Sequence, residues 1–214
     1  MILYRICRGA ILIVCRLYWR VTYEGLENLP SSGAYVVAPV HRSFIDFGLV
    51  AGMTRRRLRY MGKDSLWKYG LPGRLWSALG AFPVHRGAAD REALRRCIEV
   101  IAEGEPLVLF PEGTRRSGPV VEELFEGTAY VAARTGVPIV PIGIGGSERA
   151  LQKGKRLPRP VKVHVIIGAP IEAPPLKEGR RSPGRSTLRE LSERLQKEVQ
   201  RLFDDAETRA RAAS

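Results

Sequence analysis

The sequence predicts an α/β fold: a single layered domain with a mostly parallel or mixed central sheet flanked by helices. Six short runs rich in apolar and β-branched residues alternate with segments whose apolar residues recur at helical spacing. This alternation favours strands connected by helices that cover the sheet. The predicted strands are 34–39, 58–61, 82–84, 107–110, 137–144 and 161–167.

Helical periodicity marks the segments between these strands. The predicted helices are 44–53, 67–78 with a break at Pro72 and Gly73, 90–102, and 120–134 with a stop at Thr135 and Gly136. A C-terminal helix follows a stretch rich in Pro, Gly, Ser and charge. Its apolar stripe comprises Leu188, Leu191, Leu195, Val199 and Leu202. We therefore divide the chain into an N-terminal helix (1–22), the main domain (23–171), a linker (172–187) and a C-terminal helix and tail (188–214).

Length and charge restrict the class of protein. The 214 residues suit one domain with a sizeable core, and a hydrophobic content of 44% is typical of a folded chain. A formal net charge of +13 predicts an anionic partner, which can be nucleic acid, a membrane surface or a phosphorylated substrate. The three cysteines have no metal-ligand spacing, and their odd number argues against a disulfide framework.

The N-terminal segment reads as a basic amphipathic helix. Its longest uncharged apolar stretch, 9–15, is far shorter than the ~20 residues of a membrane-spanning helix. At roughly 100° per residue, four arginines share one sector and the aliphatic residues lie opposite. These arginines are Arg5, Arg8, Arg16 and Arg20. The pattern favours a helix lying in an anionic membrane interface. The alternative is a helix packed on the protein's own core with its arginines facing water.

A histidine and an aspartate follow the first predicted strand of the body. Asp46 lies in the first turn of the helix predicted from residue 44, and His41 lies just before that helix. A neutral imidazole can take a proton from an alcohol, and a carboxylate on its other nitrogen fixes the tautomer. The pair is therefore a candidate general base. Ser43 and Asp46 also match a capping box, so Asp46 has a purely structural alternative.

Two later blocks also follow predicted strands. Arg86 can bind a phosphate through two parallel hydrogen bonds. The simpler alternative is that Arg86 is a solvent-exposed cation in a loop. In the second block Glu112 can orient an arginine or a hydroxyl, Gly113 allows close backbone approach, and Thr114 and Arg115 add donors. A tight turn is the structural alternative there. Since ligands bind at the carboxyl ends of parallel strands, all three blocks can converge on one edge of the sheet.

Taken together and in this order, the blocks resemble the acyltransferase family that includes lysophosphatidic acid and glycerol-3-phosphate acyltransferases. The resemblance rests on His41-x4-Asp46, on the block ending in Arg86, on Phe-Pro-Glu-Gly-Thr-Arg at 110–115 and on the proline-containing apolar stretch 137–142. It extends from about Gly25 to Pro170. Val40 departs from it, because the family usually has asparagine there.

The resemblance implies an O-acyltransferase of phospholipid synthesis. His41, oriented by Asp46, would activate the free hydroxyl of a lysophosphatidic acid-like lysophospholipid acceptor toward a fatty acyl thioester of coenzyme A or acyl carrier protein. The substrate-binding residues would be Arg86, Glu112, Gly113, Thr114 and Arg115. An acyl-chain tunnel is expected between the N-terminal helix and the sheet, and the protein is expected on the cytoplasmic face of the cell membrane as a peripheral or monotopic protein.

Other acceptors and another class remain open. Glycerol-3-phosphate, another lysophospholipid or a glycolipid fits the same residues. A basic nucleic-acid-binding module is the alternative outside the enzymes, but no nucleic-acid motif accompanies the basic runs, so no nucleic-acid partner is expected. The chain has no HExxH, CxxC or Walker A pattern, so neither a metal nor a cofactor is expected.

Overall fold

A central sheet organises the molecule. The computed structural model describes residues 2–68, 70–84, 91–174, 176, 179–180 and 182–212. Within these ranges seven strands form one sheet in the order β1-β7-β6-β2-β5-β3-β4. The strands are β1 (Thr22–Glu24), β2 (Val36–Pro39), β3 (Arg59–Lys63), β4 (Ala81–Val84), β5 (Leu107–Val108), β6 (Ile139–Gly145) and β7 (His164–Ile167). Neighbouring strands are parallel except β6 and β7. The predicted mixed α/β sheet is thus confirmed.

Helices cover the sheet. They are α1 (Ile2–Leu17), α2 (Asp46–Gly52), α3 (Gly70–Ala78), α4 (Arg91–Ala102), α5 (Gly127–Thr135), α6 (Ser147–Ala150) and α7 (Arg185–Ala212). Short 3₁₀ turns occupy Leu26–Asn28 and Asp64–Trp67. All five residues of the C-terminal apolar stripe are buried, and α7 begins inside the segment predicted as a linker.

The predicted helix 120–134 is wrong over its first half. Helix α5 begins at Gly127, and the preceding segment makes tertiary hydrogen bonds instead of helical ones. The Val121 N–H donates to Gln200 Oε1 over 2.7 Å, and the Phe125 N–H donates to Pro111 O over 3.0 Å. Of the apolar residues in this segment, Val121 and Leu124 are buried, whereas Val120 and Phe125 are exposed.

The predicted break at Pro72 and Gly73 is also wrong. Both residues lie inside α3, whose first residue is Gly70. The first four N–H groups of a helix have no partner within the helix, so a proline in the first turn removes no hydrogen bond.

One face of α1 docks on the body. Tyr4 and Cys15 are buried on it. Arg8 donates from Nε to Ala51 O over 3.1 Å and from Nη2 to Thr54 O over 2.6 Å, so it binds carbonyls at the end of α2. Arg8 therefore faces the body, whereas Arg5 and Arg16 are exposed, and Arg20 lies beyond the end of the helix at Leu17, so the predicted helical sector of four arginines is wrong for Arg20.

The opposite face of α1 is apolar and exposed. Ile6, Ile13 and Leu17 expose 63%, 60% and 75% of their surface. The helix therefore packs through a narrow mixed face and leaves its aliphatic stripe uncovered. Among the described residues, no helix combines the length and apolarity needed to cross a bilayer.

Helix α7 lies directly against the backbone of β6. A Cβ placed on Gly143 would meet Leu202 O at 2.2 Å, and one placed on Gly145 would meet the Ala206 backbone at the same distance. Glycine at these positions lets helix and strand approach within backbone contact, and this approach seals the core on that side of the sheet.

Replacing Gly143 by alanine should push α7 away from the sheet. We expect the free energy of unfolding to fall by about 1–3 kcal/mol, the usual cost of overpacking. Gly9→Ala is the matched control, because its Cβ meets nothing within 4 Å and alanine favours a helix interior. Urea unfolding measures both variants. Equal midpoints for Gly143→Ala and the unsubstituted protein would show that the contact carries no constraint.

Candidate active site

The loops after β2 and β5 meet at one edge of the sheet. These strands are parallel neighbours, so their carboxyl ends lie side by side. His41 follows the end of β2 at Pro39, and the block at 110–115 follows β5. The sheet thereby brings together two of the three predicted blocks. Arg86 lies outside the described residues.

Asp46 holds the ring of His41. Asp46 Oδ2 lies 2.9 Å from His41 Nδ1 and also accepts the N–H groups of Arg42 and Ser43 at 2.8 Å each. Asp46 is fully buried and is the first residue of α2. One oxygen of Asp46 therefore binds both the backbone of the loop and the imidazole ring. Ser43 completes no capping box, because its Oγ donates to Leu151 O over 2.7 Å.

Aromatic rings enclose the imidazole. The Phe110 centroid lies 4.0 Å from that of His41, and the Phe47 ring stands edge-on at 5.5 Å. Only 5% of His41 is exposed. Since Nδ1 faces Asp46, Nε2 is the ring nitrogen left for a substrate.

Glu112 lies behind His41 and does not line the cavity. Both of its carboxylate oxygens accept from Arg42 Nη1 at 2.7 Å, and Oε1 also accepts the His41 N–H at 3.0 Å. The side chains of Arg42 and Glu112 are wholly buried. Glu112 was predicted to orient Arg86, Arg115 or a substrate hydroxyl, but the arginine that it binds is Arg42.

Arg42 contacts several other segments of the chain. Its Nε donates to Gly118 O over 3.1 Å and its Nη2 to Val120 O over 3.0 Å. Its guanidinium carbon lies 4.9 Å from the centroid of the Phe203 ring on α7. Sequence reasoning missed Arg42, although an arginine directly beside the candidate base, with a glutamate in the partner block, is a signal for such a pair.

The turn after Glu112 faces the cavity. Gly113 has a φ of 65°, and a Cβ there would lie 2.7 Å from the Phe125 ring, so this turn requires glycine. Thr114 and Arg115 line the cavity together with His41. The structure thus brings two predicted binding residues to the candidate base.

An apolar cavity of about 620 Å³ leads away from His41. It lies between α1, α2 and the β3–β4 side of the sheet, where a tunnel was predicted. Its walls include Ile11, Val14, Cys15, Phe44, Phe47, Tyr60, Met61, Leu66, Trp76 and Leu79.

Burial raises the pKa of Cys15 to about 11, so this cysteine stays a thiol at neutral pH and is a poor nucleophile. In the part of the chain that the structure describes, no three His, Cys, Asp or Glu residues are grouped to hold a metal.

Comparison with known proteins identifies the family. The acyltransferase family model matches residues 20–145, more than half of the chain. The chain belongs to the acyltransferase family. A 1-acyl-sn-glycerol-3-phosphate acyltransferase of Bacillus subtilis is 28% identical to this acyltransferase over 201 residues, which cover 94% of the chain and 96% of that protein.

Further relatives agree in class and fold. A chloroplastic 1-acyl-sn-glycerol-3-phosphate acyltransferase of Arabidopsis thaliana is 31% identical over 158 residues, which cover 72% of this chain and 44% of the plant protein. This acyltransferase therefore spans less than half the length of that relative. The crystal structure of the 1-acyl-sn-glycerophosphate acyltransferase PlsC of Thermotoga maritima superposes with a TM-score of 0.69 at 25% identity, covering 92% of this chain and 82% of that one. The family inferred from the three blocks is confirmed.

Removing Glu112 should destabilise the acyltransferase strongly. Glu112→Ala leaves the Arg42 guanidinium buried without its carboxylate, and breaking a buried pair costs about 3–5 kcal/mol. Glu122→Ala is the control, because Glu122 pairs with Arg116 at 3.1 Å on the surface and exposed pairs contribute about 0–1 kcal/mol. Chemical unfolding compares the two. If Glu112→Ala were no more harmful than Glu122→Ala, the buried pair would not organise the loops.

Proposed function

We propose that this acyltransferase moves a fatty acyl group from a thioester of coenzyme A or acyl carrier protein to the free hydroxyl of a lysophosphatidic acid-like acceptor. The observation that carries the proposal is the His41–Asp46 pair at the end of an apolar cavity, beside Arg115. The names of its relatives from Bacillus subtilis and Thermotoga maritima support the same acceptor.

The reaction needs one base and no covalent intermediate. His41 Nε2 takes the proton of the acceptor hydroxyl while the oxygen attacks the thioester carbonyl carbon. Asp46 holds the ring through Nδ1 and stabilises the imidazolium that forms. The carbon–sulfur bond then breaks, and the thiolate leaves and accepts a proton. The new ester carries the acyl group.

Different parts of the site hold different parts of the substrates. The apolar cavity suits an acyl chain, because its walls are aliphatic and aromatic. Arg115, Thr114 and the Gly113 backbone suit the acceptor phosphate, and Arg86 is proposed as a further phosphate ligand. Glu112 acts through Arg42 and the His41 backbone as a positioning residue.

We also propose that the protein works on the cytoplasmic face of an anionic membrane as a peripheral or monotopic protein. The exposed stripe of α1 is flanked by the exposed residues Arg5 and Arg16, a pairing that suits a lipid interface. Half-exposed Val14 and Phe44 line the cavity, so the cavity opens beside this stripe. A lipid acceptor could then enter directly from the membrane.

Loss of the base should abolish transfer. His41→Ala should lower the turnover of labelled palmitoyl-coenzyme A with lysophosphatidic acid in anionic vesicles by about 10²–10⁴-fold, the usual contribution of a general base. His164→Ala is the control, because His164 lies on β7 and does not line the cavity. Its Nδ1 is 2.6 Å from Thr22 Oγ1. It should keep its turnover.

Either of two results would contradict this scheme. Unchanged turnover by His41→Ala would remove His41 as the base. No product from the unsubstituted protein, folded and vesicle-bound, would reject the acceptor or the donor. Glycerol-3-phosphate, other lysophospholipids, glycolipids and acyl carrier protein thioesters would be tested next.

Membrane binding should depend on the stripe of α1. Burying a leucine fully contributes about 1.5–3 kcal/mol, so Leu17→Ser should weaken binding to phosphatidylglycerol vesicles by about tenfold. Val120→Ser is the control, because Val120 is 64% exposed but lies outside α1. Vesicle co-sedimentation measures both variants. Equal losses in the two variants would show that α1 is not the contact surface.

A further inference from the structure

Lys153 reaches the candidate site from a distant part of the sequence. It lies beyond α6, which follows the carboxyl end of β6, and β6 is the parallel neighbour of β2. The chain after β6 therefore arrives at the same edge of the sheet as His41. Lys153 lines the cavity beside His41, Thr114 and Arg115.

Two hydrogen bonds fix this segment to the catalytic loops. Ser43, fully buried between His41 and Asp46, donates from Oγ to Leu151 O over 2.7 Å. Lys153 itself donates from Nζ to Arg115 O over 3.3 Å. The position of its ammonium group is thereby linked to both loops of the site.

The charges around the site leave two cations available. Nearby Arg116 pairs with Glu122 at 3.1 Å, and Arg149 pairs with Glu207 at 3.6 Å. By contrast, no carboxylate among the described residues lies within 4.0 Å of the side-chain nitrogens of Lys153 or Arg115. In the same cavity, Arg8 donates from Nε to Ala51 O and from Nη2 to Thr54 O.

We propose that Lys153 is a substrate-binding residue that, with Arg115, holds the phosphate of the acceptor. This inference rests on the proposed function. A phosphate monoester carries a charge of about −1.5 to −2 at neutral pH, which two cations match better than one. Arginine offers a planar fork and lysine a mobile point charge, so the pair can follow the phosphate while the hydroxyl approaches His41. The pair favours a terminal phosphate over an uncharged headgroup.

Binding without turnover tests this role directly. In a His41→Ala background, we would measure the binding of labelled lysophosphatidic acid in mixed micelles by equilibrium gel filtration. Lys153→Met should weaken binding about tenfold or more, because a charge-assisted hydrogen bond is lost. Lys153→Arg should restore most of the loss. Lys155→Met is the matched control and should bind normally, since Lys155 is exposed on the same segment and does not line the cavity.

Three further probes identify the phosphate that is recognised. Monoacylglycerol, which lacks phosphate, should bind equally to Lys153→Met and its parent. Inorganic phosphate should compete with the lipid in the parent and less in Lys153→Met. Coenzyme A should bind equally to both proteins. The proposal would be overturned if Lys153→Met lost as much affinity for monoacylglycerol as for lysophosphatidic acid. It would also be overturned if Lys153→Met lost affinity for coenzyme A alone.

Measurements of turnover distinguish the proposed role of Lys153 from the proposed acyl transfer to lysophosphatidic acid. In the otherwise unsubstituted protein, Lys153→Met should raise the KM for lysophosphatidic acid and leave kcat nearly unchanged. Normal binding of lysophosphatidic acid by Lys153→Met would overturn the role of Lys153. Lysine-dependent binding without any acyl transfer by the unsubstituted protein would support the role of Lys153 and reject lysophosphatidic acid acyltransfer.

Discussion

The buried ion pair between Arg42 and Glu112 fixes the geometry on which the site depends. Each charge would cost several kcal/mol if it were buried alone, so the two side chains hold each other in place. The pair joins the loops after β2 and β5, and Glu112 also accepts the backbone N–H of His41. The remaining donors of Arg42 bind the carbonyls of Gly118 and Val120. Movement of either loop would leave a buried charge without its partner.

The two buried carboxylates bind different parts of His41. Asp46 binds the ring, and Glu112 binds the backbone of the same residue and its neighbour. Both lie on the protein side of His41, whereas the cavity side carries aromatic rings, Thr114, Arg115 and Lys153. Negative charge thereby lies behind the imidazole, and positive charge lies on the side of the cavity.

Much of this arrangement could be predicted from sequence, because it depends on local pattern. Among the described residues, six of the seven strands overlap the apolar runs that predicted them, and helices α2, α3, α4, α5 and α7 overlap segments with helical periodicity, whereas the four-residue helix α6 was not predicted. Strand β1 was missed because it has only three residues and two of them, Thr22 and Glu24, are exposed, so it forms no apolar run. The partner of Glu112 and the arrival of Lys153 were missed for another reason. Both depend on the order of strands in the sheet, which no local spacing encodes.

The contact of Phe203 with Arg42 has a consequence for how the protein is made. Phe203 belongs to α7, which comes after all three motif blocks in the chain and rests on the backbone of β6 through Gly143 and Gly145. During synthesis His41, Asp46 and the buried ion pair emerge before α7, whose Phe203 ring lies against the Arg42 guanidinium. Until α7 docks, the Arg42 guanidinium has an open side that water can reach. The packing around Arg42 is therefore completed late. A nascent chain carries all three motif blocks before the geometry of the candidate site is complete.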